Sequence, residues 1–388
     1  MGKMDSKIAS MGLIAALSVI SIVQNQACSP IENQQSSIDL SEFLADLQKL
    51  VLQPSVEQME IELESLGEEL QLLAEDPAIA EQWTESQDAW VATMGAWQQL
   101  ELLQIGSLAS SLDSAQGLDL RDEIYSWPTV NPCRIDQETV LETWMETDFF
   151  SISLVNIYGL DSLEYLLFAP VETVCPSQVS PVSDGTWDDL GEQGVLRNRA
   201  KYAVSLHQNI TENLHRLSEE WSSEDWQDSA TDIEWFQNTF NALFYLESKI
   251  KDRKLAQPLG IKDCSKERCL DEVEGVYSDL SLLWIQQNLQ GFELLFTMNN
   301  GVGFDDLLRS LGYEDLATSL LEELEKAKDM VAHLSERNTD SLVQAIEAEP
   351  EKIEELIESL STISSLLRVD ISTILELEIP TEVAGDND

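Results

Sequence analysis

Between Phe149 and Phe168 the chain reads FFSISLVNIYGLDSLEYLLF, and only two of these residues are charged, both acids, Asp161 and Glu164. Leu154, Ile157, Leu160, Leu163 and Leu167 recur at helical spacing, while Phe150, Val155, Tyr158 and Tyr165 populate the other faces. A helix that is apolar nearly all round is predicted to be buried. Two carboxylates three residues apart then share one helix face, about 5 to 6 Å apart, where like charges repel. Burying them calls for a cation, a basic partner or a shared proton. Ser151, Ser153, Asn156 and Ser162, together with the two acids, argue against a membrane span.

The rest of the sequence is punctuated in the same helical manner and carries almost no alternating strand pattern, so the fold class is all-α. Helices are expected at about Leu40 to Leu52, Val56 to Leu73, Ala78 to Leu103, Ile135 to Phe168, Leu196 to Trp221, Thr231 to Leu255, Tyr277 to Met298 and Phe304 to Leu311. Three more are expected between Tyr313 and Leu377. Breaks are placed at Pro54, Pro77, Pro128 and Pro132, the stretch from Pro170 to Gly194, Pro258-Leu-Gly260, Gly301-Val-Gly303 and Pro350. The Pro170 to Gly194 stretch is the expected boundary between a first helical lobe, residues 39–180, and a second, residues 190–388. Trp90 and Trp97 sit at helical spacing and read as core. The acidic amphipathic run EPEKIEELIESLSTISSLL reads as a surface helix.

With 72 Asp and Glu against 22 Lys and Arg, the formal net charge is −50. That field repels nucleic acid and attracts cations. Lys3 and Lys7 precede an uncharged apolar run from Met11 to Val23, the layout of a secretory signal over residues 1–27, followed by a polar tether over 28–38. Ala27-Cys28 resembles the lipidation site of bacterial lipoproteins, which would anchor the chain to a membrane through Cys28. Cleavage nearby without lipidation is the alternative. Four cysteines then remain in an oxidising compartment, which favours disulfides, with local pairing of Cys133 to Cys175 and Cys264 to Cys269 expected among three connectivities.

The three histidines, His207, His215 and His333, form no HExxH or HxxEH pattern, so no conventional zinc peptidase motif is present. Gly159-Leu-Asp161-Ser-Leu-Glu164 does resemble the GxHxxE signature of the imelysin family, bacterial surface and periplasmic proteins once classed as M75 peptidases, with Asp161 where most members have His. Ala89-Trp90 with Trp97 resembles the family's first Trp-containing helix, and Ser126-Trp127-Pro128 its WP turn. Lys254-Leu-Ala-Gln-Pro258-Leu-Gly260 followed by Glu274-Gly-Val-Tyr-Ser278 is similar to its KLxxPLG and ExxxS blocks. Gly385-Asp386-Asn387-Asp388 is similar to the DGD that ends many members.

The resemblance implies two four-helix-bundle-like lobes related by a pseudo-twofold, with the signature residues near their interface, and a link to iron uptake in the bacterial cell envelope, periplasmic or on the outer membrane. It implies a binding protein in which Asp161 and Glu164 hold iron or another hard cation, with Glu274, Ser278 and Trp127 close to the ligand and an uptake receptor or transporter as partner. Oxygen ligands suit Fe³⁺, Ca²⁺ or Mn²⁺ better than Zn²⁺. The structural alternative holds Asp161 and Glu164 with Arg134, Arg197 or Arg199 in a buried ion-pair network and binds no metal. A third reading, an M75-type metallopeptidase with Glu164 as general base, needs three metal ligands that the sequence does not supply.

Overall fold

The computed structural model describes residues 40–380; the signal segment, Cys28 with its tether, and Gly385 to Asp388 lie outside the described residues. Every regular element among the described residues is helical. The principal helices are α1 Gln53–Glu75, α2 Ala80–Leu100, α3 Leu160–Phe168, α4 Thr186–Ser222, α5 Asp232–Leu243, α6 Ser281–Thr297, α7 Glu314–Asn338 and α8 Pro350–Ser365. Helix α1 packs on α2 and α4, with α3 against both α2 and α4. A second group forms where α7 packs on α6 and α8. Helices α2 and α6 join the two groups. That junction is close because Gly291 presents no side chain to α2: a Cβ there would lie 2.4 Å from the Gln99 carbonyl oxygen.

The apolar stripes fill the core as their spacing predicts. Trp90, Trp97 and Trp284 are fully buried, as are Ile353, Leu356, Leu360 and Ile363 on the inner face of the acidic helix α8. Trp90 and Trp284 meet edge to face at 5.8 Å, an arrangement aromatic pairs favour.

Two expectations about continuity are corrected. The stretch from Ile135 to Phe168 is not one helix. Pro132–Leu141 ends where Glu142 turns left-handed (φ 54°), and short turns follow until α3 begins after Gly159. Phe149, Ile157 and Tyr158 are still buried, whereas Leu154 is 74% exposed, so its place on the expected stripe fails. Apolar loop residues lying on α4 produce the same composition as a buried helix. Pro54 also does not break its helix. The preceding turn Leu47–Leu52 is π-helical, and Gln53 donates its N–H to the Gln48 carbonyl. The shifted register accommodates the proline, which has no N–H to give.

Helix α5 likewise runs on into a π-helical segment, Leu246–Ala256, which ends at the left-handed Gly260. Lys254 lies on it, 1% exposed.

Candidate functional site

Helix α3 is fixed at its start by Trp90, whose indole N–H donates to the Leu160 carbonyl at 3.0 Å. Gly159 precedes it at φ 99°, ψ −177°, a region essentially confined to glycine. A Cβ at Gly159 would stand 2.9 Å from the Ile124 carbonyl oxygen and 3.0 Å from Asp161 Oδ1. The glycine of the motif is therefore what lets Asp161 approach the 124–126 turn.

Asp161 is 3% exposed and Glu164 7%. Asp161 Oδ2 accepts from the Ser126 hydroxyl at 2.7 Å, and Oδ1 from the Ser162 N–H at 3.0 Å. Glu164 reaches across the junction, its Oε1 accepting from the Tyr277 N–H at 3.1 Å and the Ser278 N–H at 2.8 Å. Burial pushes Asp161 up to about 6 against these hydrogen bonds. Burial pushes Glu164 up to about 7, and the neighbouring Asp161 charge acts in the same direction.

Glu274, expected beside the ligand, is engaged by a basic partner instead of standing bare like this pair. Its Oε1 accepts from the Lys254 ammonium at 3.0 Å, the Tyr125 hydroxyl at 2.8 Å and the Gln98 amide at 3.0 Å. The Lys254 ammonium also donates to Gln98 Oε1 at 2.6 Å and Asn288 Oδ1 at 2.9 Å, and pairs with Glu101 at 3.2 Å. Glu101 in turn takes the Arg121 guanidinium at 2.8 Å and the Tyr245 hydroxyl at 2.6 Å. Burial opposes ionisation of Glu101, but Lys254 and Arg121 outweigh it and hold the acid down at about 2. Two acids and two bases thus neutralise one another inside the junction.

Ser278 meets the site through its backbone N–H, and its hydroxyl, which donates to the Gly275 carbonyl at 3.3 Å, also favours the Glu164 charge. Trp127 is buried as a lid on the ion network, its ring 5.9 Å from Lys254 Nζ and 6.0 Å from Arg253. The arginines of the structural alternative lie elsewhere: Arg134 pairs with Glu138 at 2.7 Å, and Arg199 faces Asp136 at 3.6 Å. Among the described residues no hydrogen bond or ion pair takes Arg197 to the two acids. Among the described residues no three His, Cys, Asp or Glu side chains converge as a metal-binding group. The donors present at Asp161 and Glu164 are carboxylate oxygens without a basic partner in contact, a set suited to a hard cation.

Sequence reasoning missed Lys254, Glu101, Arg121 and Tyr125. One signal was available: Trp90, Met94, Trp97 and Glu101 follow one another at intervals of four, three and four, placing an acid on the core stripe of α2. Both expected disulfides form, Cys133 to Cys175 with Cα atoms 4.7 Å apart and Cys264 to Cys269 at 5.9 Å. The first ties the start of Pro132–Leu141 to the loop after α3, where Thr173 and Val174 donate to Asp136.

Comparison with known proteins agrees with this architecture. The family model described as Imelysin matches residues 53–367. No curated protein matches the sequence. Among solved structures, an imelysin-like protein from Psychrobacter arcticum 273-4 superposes with a TM-score of 0.56 at 15% identity, covering 87% of this chain and 95% of that one. A protein described as an iron-regulated protein A precursor, from Parabacteroides distasonis ATCC 8503, superposes with a TM-score of 0.62 at 16% identity, covering 86% and 94%.

Proposed function

Because the chain belongs to the imelysin family, we propose that it is a binding protein of the bacterial cell envelope that takes a hard cation or an iron-bearing ligand at Asp161 and Glu164. The observation that carries this reading is a pair of buried carboxylates on one helix with no basic side chain in contact, next to a network in which the buried acids Glu101 and Glu274 share Lys254 and Glu101 also takes Arg121. In a chain of net charge −50 the surrounding field draws cations inward. One solved relative is described as iron-regulated, which favours iron as cargo. Oxygen donors make Zn²⁺ the poorer fit.

In this reading Cys28 is lipidated and tethers the protein to a membrane, and an iron-uptake receptor or transporter receives the cargo. Mass spectrometry of membrane-extracted protein should find an acylated Cys28 at the mature N-terminus; a mature N-terminus elsewhere removes the anchor. The binding function is tested by metal analysis and by titration with ferric nitrilotriacetate, Ca²⁺ and Zn²⁺. Wild type should retain one hard cation and Glu164→Gln none. A folded wild type that retains no metal would leave the pair as an architectural hydrogen-bonded latch, a second reading favoured by the amide contacts from Tyr277 and Ser278.

A further inference from the structure

A cavity of about 460 Å³ is lined by the 108–122 loop, by helix α5 with its π-helical continuation, and by the 378–380 segment. Its volume lies inside the range of about 300 to 1,000 Å³ common for small-molecule sites. Most of its strong donors are already engaged. Arg121 gives its guanidinium to Glu101, Asp122 and the Trp127 carbonyl, and Tyr245 gives its hydroxyl to Glu101. Gln237 donates to Asn241 Oδ1 at 2.8 Å and holds the Glu378 backbone in both directions, its Nε2 on the carbonyl and its Oε1 under the N–H, each at 2.8 Å.

Three groups on the wall remain open. The Asn241 side chain donates no hydrogen bond, the Asn238 side-chain oxygen accepts none, and Lys249 has neither hydrogen bond nor ion pair among the described residues. Acids outnumber bases 72 to 22 in this chain, so a partly buried lysine without an acid is the exception. The other described bases outside an ion pair are exposed, as Lys49, Arg197, Lys201 and Arg216 are, or bonded to a backbone carbonyl, as Arg268 is to that of Ile346.

We infer that this cavity is a second binding site, for a small polyhydroxylated monocarboxylate of the sugar-acid class. Lys249 takes the carboxylate in a charge-assisted hydrogen bond. Asn238 and Asn241 share one face of α5 at i, i+3 and read hydroxyls, one as acceptor and the other as donor. Charge decides among the anions. Asp113, Asp119 and Asp122 also line the cavity, and with Arg121 paired, Lys249 is its one open cation among the described residues. It balances a single negative charge, whereas a phosphate dianion or a tricarboxylate meets net repulsion. A neutral sugar leaves the ammonium without a counter-charge.

Titration calorimetry of the purified protein with D-glucuronate and D-gluconate tests the site, with glucose, citrate and inorganic phosphate as comparisons. The sugar acids should saturate at one per chain, and the three comparison compounds should bind at least about tenfold more weakly. Lys249→Met and Asn241→Ala should each weaken D-glucuronate binding, the first at least about tenfold, with unchanged far-ultraviolet circular dichroism. Lys201→Met removes a lysine that does not line the cavity and should bind as wild type does. The inference is overturned if neither sugar acid binds, if glucose, citrate or phosphate binds as tightly, or if Lys249→Met retains the wild-type affinity.

Discussion

The backbone N–H of Ser278 donates to Glu164 Oε1 at 2.8 Å across 114 residues of sequence. That bond and its neighbour from Tyr277 secure the signature helix to the 273–279 loop, so the charge state of Glu164 bears on how the two parts hold together.

The first prediction follows from that charge. Glu164 is raised from 4.5 to about 7, so ionisation is harder in the folded chain than in the unfolded one. The associated stability is fully present below about pH 4.5 and is lost as pH rises through about 7. Glu164→Gln abolishes this slope. In chelator, the stability of the variant relative to wild type should rise by about 3 kcal/mol between about pH 4 and about pH 8. Urea melts at both ends of the range measure it, and a pH-independent difference would contradict the assignment.

Lys254 provides the second. Its ammonium touches Glu101 and Glu274, both buried. Lys254→Met leaves net negative charge inside the junction and should cost about 3 to 5 kcal/mol. Combining it with Glu274→Gln should restore part of that loss, because the two changes remove opposite charges. A double-mutant cycle with no coupling would show that the pair contributes nothing.

Gly159→Ala should cost about 1 to 3 kcal/mol from backbone conformation alone, and more from the approach to the Ile124 carbonyl oxygen. It should also displace Asp161 and lower cation retention. Thermal melts and metal analysis on the same sample check both effects. A fully stable variant with unchanged retention would mean that the turn tolerates a side chain.

Opening the disulfides should separate by loop length. Chain entropy assigns roughly 4 kcal/mol to Cys133–Cys175, with a sequence separation of 42, and roughly 2 kcal/mol to Cys264–Cys269, with a separation of 5. Paired Cys→Ser variants compared in denaturant should rank in that order.

Most helices were legible because proline, glycine and the heptad-like spacing of Leu and Trp act locally. Burial of Asp161 and Glu164 was legible for the same reason, since they are the only charged residues in an otherwise apolar-rich stretch. The break before α3 was not, because loop residues packed on α4 are as apolar as a buried helix. The fate of Glu274 was not legible either. Lys254 lies twenty residues before it in sequence, and nothing local says that a π-helical register will turn that lysine inward. Two of the three arginines offered as partners for the two acids, Arg134 and Arg199, pair with other acids, Glu138 and Asp136. Proximity in sequence to α3 was a poor guide to proximity in space.

The junction also bears on the order of assembly. Gln98 meets Glu274 across 176 residues, Asn288 meets Gln98 across 190, and Tyr125 meets Glu274 across 149. Closing loops of that length is entropically slow. During synthesis the first helices emerge well before the loop and helix that complete the ion network, leaving Glu101 and the two signature carboxylates hydrated meanwhile. Under the proposed function, capture of a cation is deferred until the 273–279 loop has been made, because a chain that stops before it lacks the N–H groups that donate to Glu164.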